Sequence, residues 1–142
     1  MRQLGEGAFA KVRLGTKKDT DEKFAIKIVN KRDLSPDDAE GLKQEITILQ
    51  ELDHPNIMKL SDVFIEPQYI YLVTELLAGG ELFDRIVQKE YYDESEARNV
   101  SRIMFGALQY CHDRNVAHRD LKPENLLLTV SVNVCRLQRS WT

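Results

Sequence analysis

The stretch FAIKIV, residues 24–29, decides the fold because it is short, aromatic and β-branched, as buried strands are. It is apolar on both of the faces that a strand presents, with the single exception of Lys27. A buried cation is destabilising unless an anion accompanies it. The stretch therefore predicts a buried strand and an acidic partner for Lys27.

The acidic partner is predicted on the next helix. A capping Ser followed by Pro begins that helix at residue 35, and the helix runs to about residue 52. Its apolar stripe consists of Leu42, Ile46 and Leu49. At about 100° per residue, Glu45 falls near the middle of this stripe rather than on the solvated side. We therefore expect Glu45 to pair with Lys27, because each would otherwise be a buried charge alone.

Strands come first along the chain and helices follow. Strands are predicted at 57–65, at 69–76 and on both sides of a tight glycine turn within 4–14, and helices at 81–90 and 93–112. The second of these helices opens with a capping box, and its predicted stripe is Ala97, Val100, Met104, Leu108 and Cys111. This order favours an α+β fold in which a small sheet lobe leads into a helical lobe.

The composition excludes several classes of partner. Lys plus Arg number 20 and Asp plus Glu number 23, so the net charge is −3 and no positive field attracts nucleic acid or anionic lipid. The longest apolar stretch, 69–78, is too short to span a bilayer, and the N-terminus lacks the apolar region of a secretory signal. Cys111 and Cys135 form no ligand cluster, which favours reduced thiols and a cytoplasmic location, with the nucleus as the alternative.

Four motifs occur in a fixed order along the chain. They are the glycine loop GEGAFAKV (5–12), the strand lysine in AIK (25–27), Glu45 on the following helix and the loop HRDLKPEN (118–125). Each motif alone is modest evidence, since two glycines can simply form a hairpin turn and an ion pair can be purely structural. Together, on the right kinds of element, they resemble the signature of the protein kinases.

The finer detail resembles the calcium/calmodulin-dependent serine/threonine kinases and their relatives. HPNI (54–57), GGELFDRI (79–86) and KPEN (122–125) are similar to that group, and Lys122 indicates Ser/Thr rather than Tyr as acceptor. The resemblance extends from residue 4 to about residue 128. It implies a two-lobed kinase fold, with 1–77 as the sheet lobe and 78–128 as the start of the helical lobe.

The resemblance also implies a nucleotide site that binds ATP with Mg²⁺. The residues implied in ATP binding are Leu4, Gly5, Gly7, Val12, Ala25, Lys27, Glu45, Glu75, Leu77, Glu81 and Leu127. Of these, Lys27 would hold the α- and β-phosphates, and the backbones of Glu75 and Leu77 would bind the adenine edge. Glycines in the loop would let backbone N–H groups approach the phosphates.

Catalytic roles are implied in the second lobe. Asp120 would orient the substrate hydroxyl and accept its proton, Lys122 would steady the γ-phosphate, and Asn125 would bind one magnesium ion. Glu81 and Glu124 would meet basic residues near the acceptor of a protein substrate, although Glu81 alone could simply favour a helix N-terminus. Regulation by calmodulin is expected only of a longer form.

The sequence departs from the family pattern in two places. Ala10 occupies the position of the third glycine of the loop, and its methyl group restricts the backbone and should weaken loop closure. No Asp-Phe-Gly follows Asn125, and the family takes its second metal ligand from that motif. We therefore expect no useful kinase activity from this chain alone.

Residues 129–142 are predicted to form a tail outside the family. Val130, Val132 and Val134 alternate with polar residues, so the tail could extend the strand after Asn125. An altered reading frame, a retained intron or an alternative splice end is a more economical origin than a basic calmodulin-type segment. Two alternatives to an active kinase stay open, namely a non-catalytic module that binds nucleotide or a partner, and a chain that does not fold stably.

Overall fold

The computed structural model describes residues 3–6, 10–89, 93–128 and 135–137. These residues divide into two compact units. Among the described residues, the first unit comprises 3–6, 10–51 and 59–76, and the second comprises 52–58, 77–89, 93–128 and 135–137. The sequence-based division is a single boundary after residue 77, whereas the structure assigns residues 52–58 to the second unit.

The first unit is an antiparallel sheet with one long helix. Its strands are β1 (Gln3–Glu6), β2 (Ala10–Thr16), β3 (Lys23–Asn30), β4 (Leu60–Ile65) and β5 (Tyr69–Glu75), in the spatial order β1-β2-β3-β5-β4. The turn between β2 and β3 closes with a 2.8 Å hydrogen bond from the Lys17 N–H to the Glu22 carbonyl, and Asp21 takes a positive φ of 56°. The predicted stretch 24–29 thus becomes the central strand of the sheet.

One face of the sheet holds the core. Lys27 lies opposite Val12 of β2 and Leu72 of β5, and such cross-strand partners share a face. Leu72 is 0% exposed, and Val29, two residues after Lys27 on the same face, is 3% exposed. Lys27 therefore shares a face of the sheet with the fully buried Leu72.

Helix α1 (Pro36–Glu51) begins at the predicted cap and buries the predicted apolar stripe. The Ser35 hydroxyl accepts a 3.1 Å hydrogen bond from the Asp38 N–H, while the Asp38 carboxylate accepts one of 3.2 Å from the Ser35 N–H. This reciprocal cap satisfies two backbone donors at the helix start. The three apolar residues of the predicted stripe are all buried, namely Leu42, Ile46 and Leu49.

The predicted strand 57–65 is too long at its start. Strand β4 begins only at Leu60, because residues 54–57 fold as a turn. In that turn the Ile57 N–H donates to the His54 carbonyl at 3.1 Å, and the Asn56 N–H donates to His54 Nδ1 at 3.0 Å. Backbone groups bonded within the turn cannot also pair in the sheet.

Residues 52–58 are attached to the second unit through Tyr110. The Tyr110 hydroxyl accepts a 3.0 Å hydrogen bond from the Asp53 N–H, and the His54 ring lies 4.9 Å from the Tyr110 ring. The Arg114 guanidinium covers the same ring at 3.7 Å, a cation–π contact. The Tyr110 side chain thereby joins this turn to the helix on which Tyr110 lies.

The second unit contains two helices and a small hairpin. They are α2 (Leu82–Gln88), α3 (Glu94–His112), β6 (Leu126–Leu128) and β7 (Cys135–Leu137). Asp93 caps α3 by accepting a 2.8 Å hydrogen bond from the Glu96 N–H, as the capping box predicts. Within the described chain, no helix is long and apolar enough to cross a membrane.

The predicted stripe of α3 is only partly right. Cys111 is buried, but Ala97 is exposed, and Ala107, which was not predicted, is 1% exposed. Spacings of three and four residues fit both Leu108 and Ala107, so periodicity alone does not choose between them. Of the two, Ala107 is the buried residue and Leu108 is half-buried.

Strand β6 is held on both of its edges. On one side Glu81 forms an antiparallel bridge with Leu127, and Gly79 and Gly80 exchange hydrogen bonds of 2.9 and 2.8 Å with Leu128. On the other side β6 pairs with β7, so residues 135–137 of the predicted tail join a strand pair. The predicted valine alternation at 130–134 lies outside the described residues.

Replacement of Leu72 by Ala tests whether this core row stabilises the fold. Because Leu72 is fully buried, we expect Leu72→Ala to lower the free energy of unfolding by about 2–5 kcal/mol in urea denaturation. Ile65→Ala is the matched control, since Ile65 is 69% exposed, and it should change that free energy by less than about 0.5 kcal/mol. Equal effects of the two substitutions would contradict the assignment of the core.

Candidate functional site

Lys27 of the first unit has a pKa that its surroundings shift strongly. Burial lowers the pKa of Lys27 from 10.5 to about 8, and the negative charge of Glu45 opposes that decrease. The predicted pairing is thus present as an electrostatic interaction between β3 and α1. A cation with this pKa stays largely protonated at neutral pH and can attract a phosphate.

The sheet fixes the position of Lys27 from both sides. Backbone ladders to β2 and β5 flank the residue, and the fully buried Leu72 lies directly opposite it. Glu45 lies on the side of α1 that carries the buried stripe, one residue before Ile46. Both charges are therefore carried by regular secondary structure, one on the central strand and one on the buried side of α1.

The residues expected around adenine occupy neighbouring rows of the same sheet. Ala25 lies opposite Thr74, whose hydroxyl donates a 3.4 Å hydrogen bond to the Ala25 carbonyl. Val12 lies opposite Lys27, so it shares a face with that cation. Thr74 is 7% exposed, the one buried polar residue among those described. Small and apolar side chains thus line the sheet next to Lys27.

The start of the sheet is less buried. Leu4 and Gly5 belong to β1, and Leu4 is 44% exposed. Ala10 begins β2 in an ordinary strand register opposite Val29. Gly7 lies outside the described residues, so its predicted contact with phosphate stays a prediction.

The end of β5 has a structural bond that the sequence did not suggest. Glu75 is the last residue of β5, and its carboxylate accepts a 3.1 Å hydrogen bond from the Lys59 N–H. This bond fixes the residue whose backbone was predicted to bind adenine. Leu77 follows and belongs to the second unit.

The second group of predicted residues meets in the loop before β6. Lys122 Nζ lies 3.2 Å from Asp120 Oδ2, an ion pair. The Asn125 amide nitrogen donates to the Asp120 carbonyl at 2.8 Å and to Asp120 Oδ2 at 2.9 Å. Thus two side chains that the sequence singled out, Lys122 and Asn125, converge on the carboxylate of a third, Asp120.

The Asn125 amide is oriented by these two bonds. Both of its hydrogens are directed at Asp120, which leaves the carbonyl Oδ1 of Asn125 for a cation. Oxygen atoms of this kind are ligands that Mg²⁺ prefers. No cluster of three or more His, Cys, Asp or Glu side chains in the described chain could hold a metal by itself.

The backbone of the loop is also constrained. His118 Nδ1 accepts a 3.3 Å hydrogen bond from the Asp120 N–H, so the His118 side chain holds the backbone of the loop. Between them, Arg119 takes a positive φ of 67°, a conformation that is unfavourable for a side chain of this size. Such strain is characteristic of functional loops.

Two further predicted residues lie at the edge of this loop. Glu81 directly precedes α2 and forms a backbone bridge with Leu127 of β6. The start of α2 is therefore fixed to the strand that follows the loop. Glu124 is part of the 3-10 turn Pro123–Asn125. The roles of both acidic residues toward a substrate stay predictions.

A profile of the protein kinase domain matches residues 1–138 of the chain. The chain belongs to the protein kinase family. The sequence-based prediction of a kinase-like α+β fold is thereby confirmed, as the five-stranded sheet with its helix and the partial helical unit agree with the family.

The kinase relatives include calcium-regulated enzymes. The chain is 48% identical over 131 residues to myosin light chain kinase A of Dictyostelium discoideum, covering 92% of this chain and 44% of that protein. It is 47% identical over 125 residues to calcium/calmodulin-dependent protein kinase type 1 of Macrobrachium nipponense, covering 87% and 36%. It is also 50% identical over 130 residues to the probable serine/threonine-protein kinase MARK-C of Dictyostelium discoideum, covering 89% and 17%. The chain therefore spans less than half the length of these relatives.

Stability as a function of pH tests the burial of Lys27. The folded pKa of about 8 lies below the ordinary value of 10.5, so the unfolded chain binds more protons between these two values. Burial of the Lys27 cation thus destabilises the fold below pH 8, and this penalty is relieved as the pH rises toward 10.5. Lys27→Met removes the penalty, so its stability gain over the natural chain should shrink from pH 7 to pH 10.

Urea denaturation at several pH values measures this difference. The control is Lys43→Met, which alters an exposed lysine of α1 and should give a difference independent of pH. If the stability difference between Lys27→Met and the natural chain is also independent of pH, then Lys27 has the same pKa in the folded and unfolded chain, and its burial is contradicted.

Proposed function

We propose that this chain carries the nucleotide-binding and catalytic-loop residues of a serine/threonine protein kinase, which transfers the γ-phosphoryl group of Mg-ATP to a protein hydroxyl. The observation that supports this most directly is the convergence of Lys122 and Asn125 on Asp120. Phosphoryl transfer needs positioned charges rather than covalent chemistry, and these three side chains supply them.

Lys27 is proposed to bind the α- and β-phosphates of ATP. Its low pKa reflects a cation that is poorly solvated, so phosphate oxygens would replace the missing water. The charge of Glu45 would keep Lys27 protonated in the absence of nucleotide. Val12 and Ala25, in adjacent positions of the same sheet face, would contact the adenine ring.

The remaining nucleotide contacts are proposed by family resemblance. The glycine loop at Gly5 and Gly7 would cover the phosphates, and Leu4 and Leu127 would complete the apolar sandwich around adenine. The exposed side chain of Leu4 is consistent with a surface that a ligand covers.

Asn125 is proposed to bind Mg²⁺ through its Oδ1 atom. The two hydrogen bonds to Asp120 hold the amide so that this oxygen is available. The ion would neutralise charge on the phosphates when it is bound, and the nucleotide itself would supply most of the other ligands.

Asp120 is proposed to accept the proton of the substrate hydroxyl as that oxygen bonds to the γ-phosphorus and the bond to the β-phosphate oxygen breaks. Lys122 would neutralise charge on the transferred group. The products are ADP and a phosphorylated Ser or Thr. Glu81 and Glu124 would attract basic residues near the acceptor, and any calmodulin regulation would belong to a longer form.

The 142 residues on their own favour a second candidate, a non-catalytic nucleotide-binding module. No Asp-Phe-Gly occurs between Asn125 and Thr142, so a second metal ligand of that kind is absent from this sequence. For these residues alone we expect nucleotide binding with a turnover that is lower by roughly a thousandfold or more than that of a complete kinase.

Thermal unfolding with ATP tests the nucleotide site. At about 100 times the dissociation constant, ATP should stabilise the chain by about 2.7 kcal/mol, and Mg²⁺ should add to the effect. Lys27→Met should abolish most of the ATP shift, and Asn125→Ala should abolish the magnesium increment. Lys43→Met is the control that should leave both intact. An ATP shift that survives in Lys27→Met would contradict the proposed phosphate contact.

Turnover is measured separately with labelled ATP, Mg²⁺ and a basic serine peptide. We expect slow phosphorylation at most, and Asp120→Asn should remove whatever remains. Activity comparable to that of a complete kinase would contradict the non-catalytic module. If ATP does not raise the unfolding temperature of the natural chain, both candidate functions are contradicted.

A further inference from the structure

The five-stranded sheet has a second face, opposite the face that holds the core. Successive residues of a strand point to opposite sides, so Ile26 and Ile28 lie on the other side of the sheet from Lys27 and Val29. We call the side that carries Ile26 and Ile28 the outer face. Helix α1 lies on the core face, because its Glu45 interacts with Lys27. In the described part of the first unit α1 is the one α-helix, so no α-helix of that part covers the outer face.

Two neighbouring rows of side chains cross the outer face, since cross-strand partners share a side of the sheet. The first row joins Lys11, Ile28, Tyr71 and Phe64. The second row joins Arg13, Ile26, Val73 and Asp62. Each row thus begins with a cation on β2, passes two large apolar or aromatic side chains and ends on β4.

The outer face is accessible to solvent. Both cations on β2 and Asp62 on β4 are exposed, and the four central side chains of the two rows are half-buried. On the core face, by contrast, Leu72 is 0% and Val29 is 3% exposed. Phe64 is 57% exposed, although most Phe side chains of folded proteins are buried. Exposed apolar surface with a polar rim marks sites where proteins bind one another.

Gly15 keeps the outer face flat. It lies two residues after Arg13 on the same side of β2, and a Cβ atom there would collide with the end of the Ile26 side chain. Ile26 therefore lies along the sheet, over Gly15, instead of standing upright from it. A flat sheet face of this kind can pack closely against a second sheet.

Charges of opposite sign lie on opposite edges of the outer face. Lys11 and Arg13 form the β2 edge. The β4 edge carries Asp62 and also Glu66, whose carboxylate accepts a 3.3 Å hydrogen bond from the Tyr71 hydroxyl. Rotation by 180° about an axis parallel to the strands brings the β2 edge of one copy over the β4 edge of another. The outer face is therefore complementary in charge to itself.

We propose that the outer face binds the outer face of a second copy of this chain in a two-fold symmetric dimer. In such an interface each contact occurs twice, so Arg13 of each copy meets Asp62 of the other. In the same way, Phe64 of each copy covers the aliphatic stem of Lys11 of the other. The inference is independent of the proposed function, because the sheet residues proposed to contact nucleotide lie on the core face.

The size of the outer face predicts a weak dimer. Strands β2 and β5 are seven residues long, and four strands about 4.8 Å apart with about 3.3 Å per residue span roughly 19 by 23 Å. A face of this size lies at the low end for specific interfaces between proteins. We therefore expect dissociation constants in the micromolar rather than the nanomolar range.

Sedimentation equilibrium of the 142-residue chain at roughly 1–300 µM tests for the dimer. The mean mass should rise from 16.4 kDa toward twice that value with concentration. Phe64→Ser should weaken the association by about tenfold or more, since it removes an exposed aromatic side chain from the interface. Ile65→Ser is the matched control and should leave the association unchanged, because Ile65 is 69% exposed but pairs with Ile70 on the core face.

Two results of this experiment would overturn the proposal. A chain that stays monomeric at every concentration would leave the outer face to a partner of another kind. Equal weakening by Phe64→Ser and Ile65→Ser would place the contact elsewhere on the chain.

Mixing of two charge variants tests the pairing between copies. Arg13→Glu or Asp62→Arg alone brings like charges together in both contacts of the dimer, so each variant should associate at least about tenfold more weakly. An equimolar mixture of the two should dimerise again, because each introduced charge then meets its opposite on the other copy. Lys43→Glu, on α1, is the control for charge reversal and should leave the dimer intact.

Thermal unfolding by circular dichroism verifies that each variant is folded, and Tm should be unchanged because the altered side chains are exposed. Arg13→Glu and Asp62→Arg that stay monomeric when mixed, although both are folded, would overturn the two-fold pairing.

Discussion

The burial of Lys27 is the constraint on which the first unit depends. A largely buried cation opposite the fully buried Leu72 is tolerated because a helix brings Glu45 to it, which couples the position of α1 to that of β3. The apolar stripe of α1 and its reciprocal cap at Ser35 fix the helix, and the helix in turn fixes the charge. A cation desolvated to this extent is more readily explained by a ligand that needs it than by stability alone.

The second unit meets a different constraint, which is the orientation of a single carboxylate. Asp120 receives Lys122 and Asn125, and the strand after Asn125 is fastened on both edges by Glu81 and by residues 135–137. Residues 118–122 of the loop have no regular secondary structure, so their precise placement comes from these neighbouring attachments. Catalytic groups on a loop with rigid surroundings combine accurate placement with access for a substrate.

Sequence patterns predicted most of the fold, and they singled out residues that the structure brings together in the loop before β6. The strand around Lys27, the stripe of α1 and the loop from His118 to Asn125 all carry strong local signals, because burial and capping depend on residues close in the chain. The predicted start of β4 was wrong because a turn held by His54 competes with strand pairing. The outcome of that competition depends on tertiary contacts. The burial of Ala107 depends on packing between elements, which periodicity does not report.

The central claim is that Lys27 is a desolvated cation held by Glu45. The most direct test is an NMR titration of the Lys27 side chain in the natural chain, in Glu45→Gln and in the control Glu40→Gln, which alters an exposed residue of the same helix. The account predicts a pKa of about 8 in the natural chain and in the control, and a lower pKa in Glu45→Gln, because removal of the anion leaves burial unopposed. A Lys27 pKa near 10.5, or one that does not respond to Glu45→Gln, would contradict it.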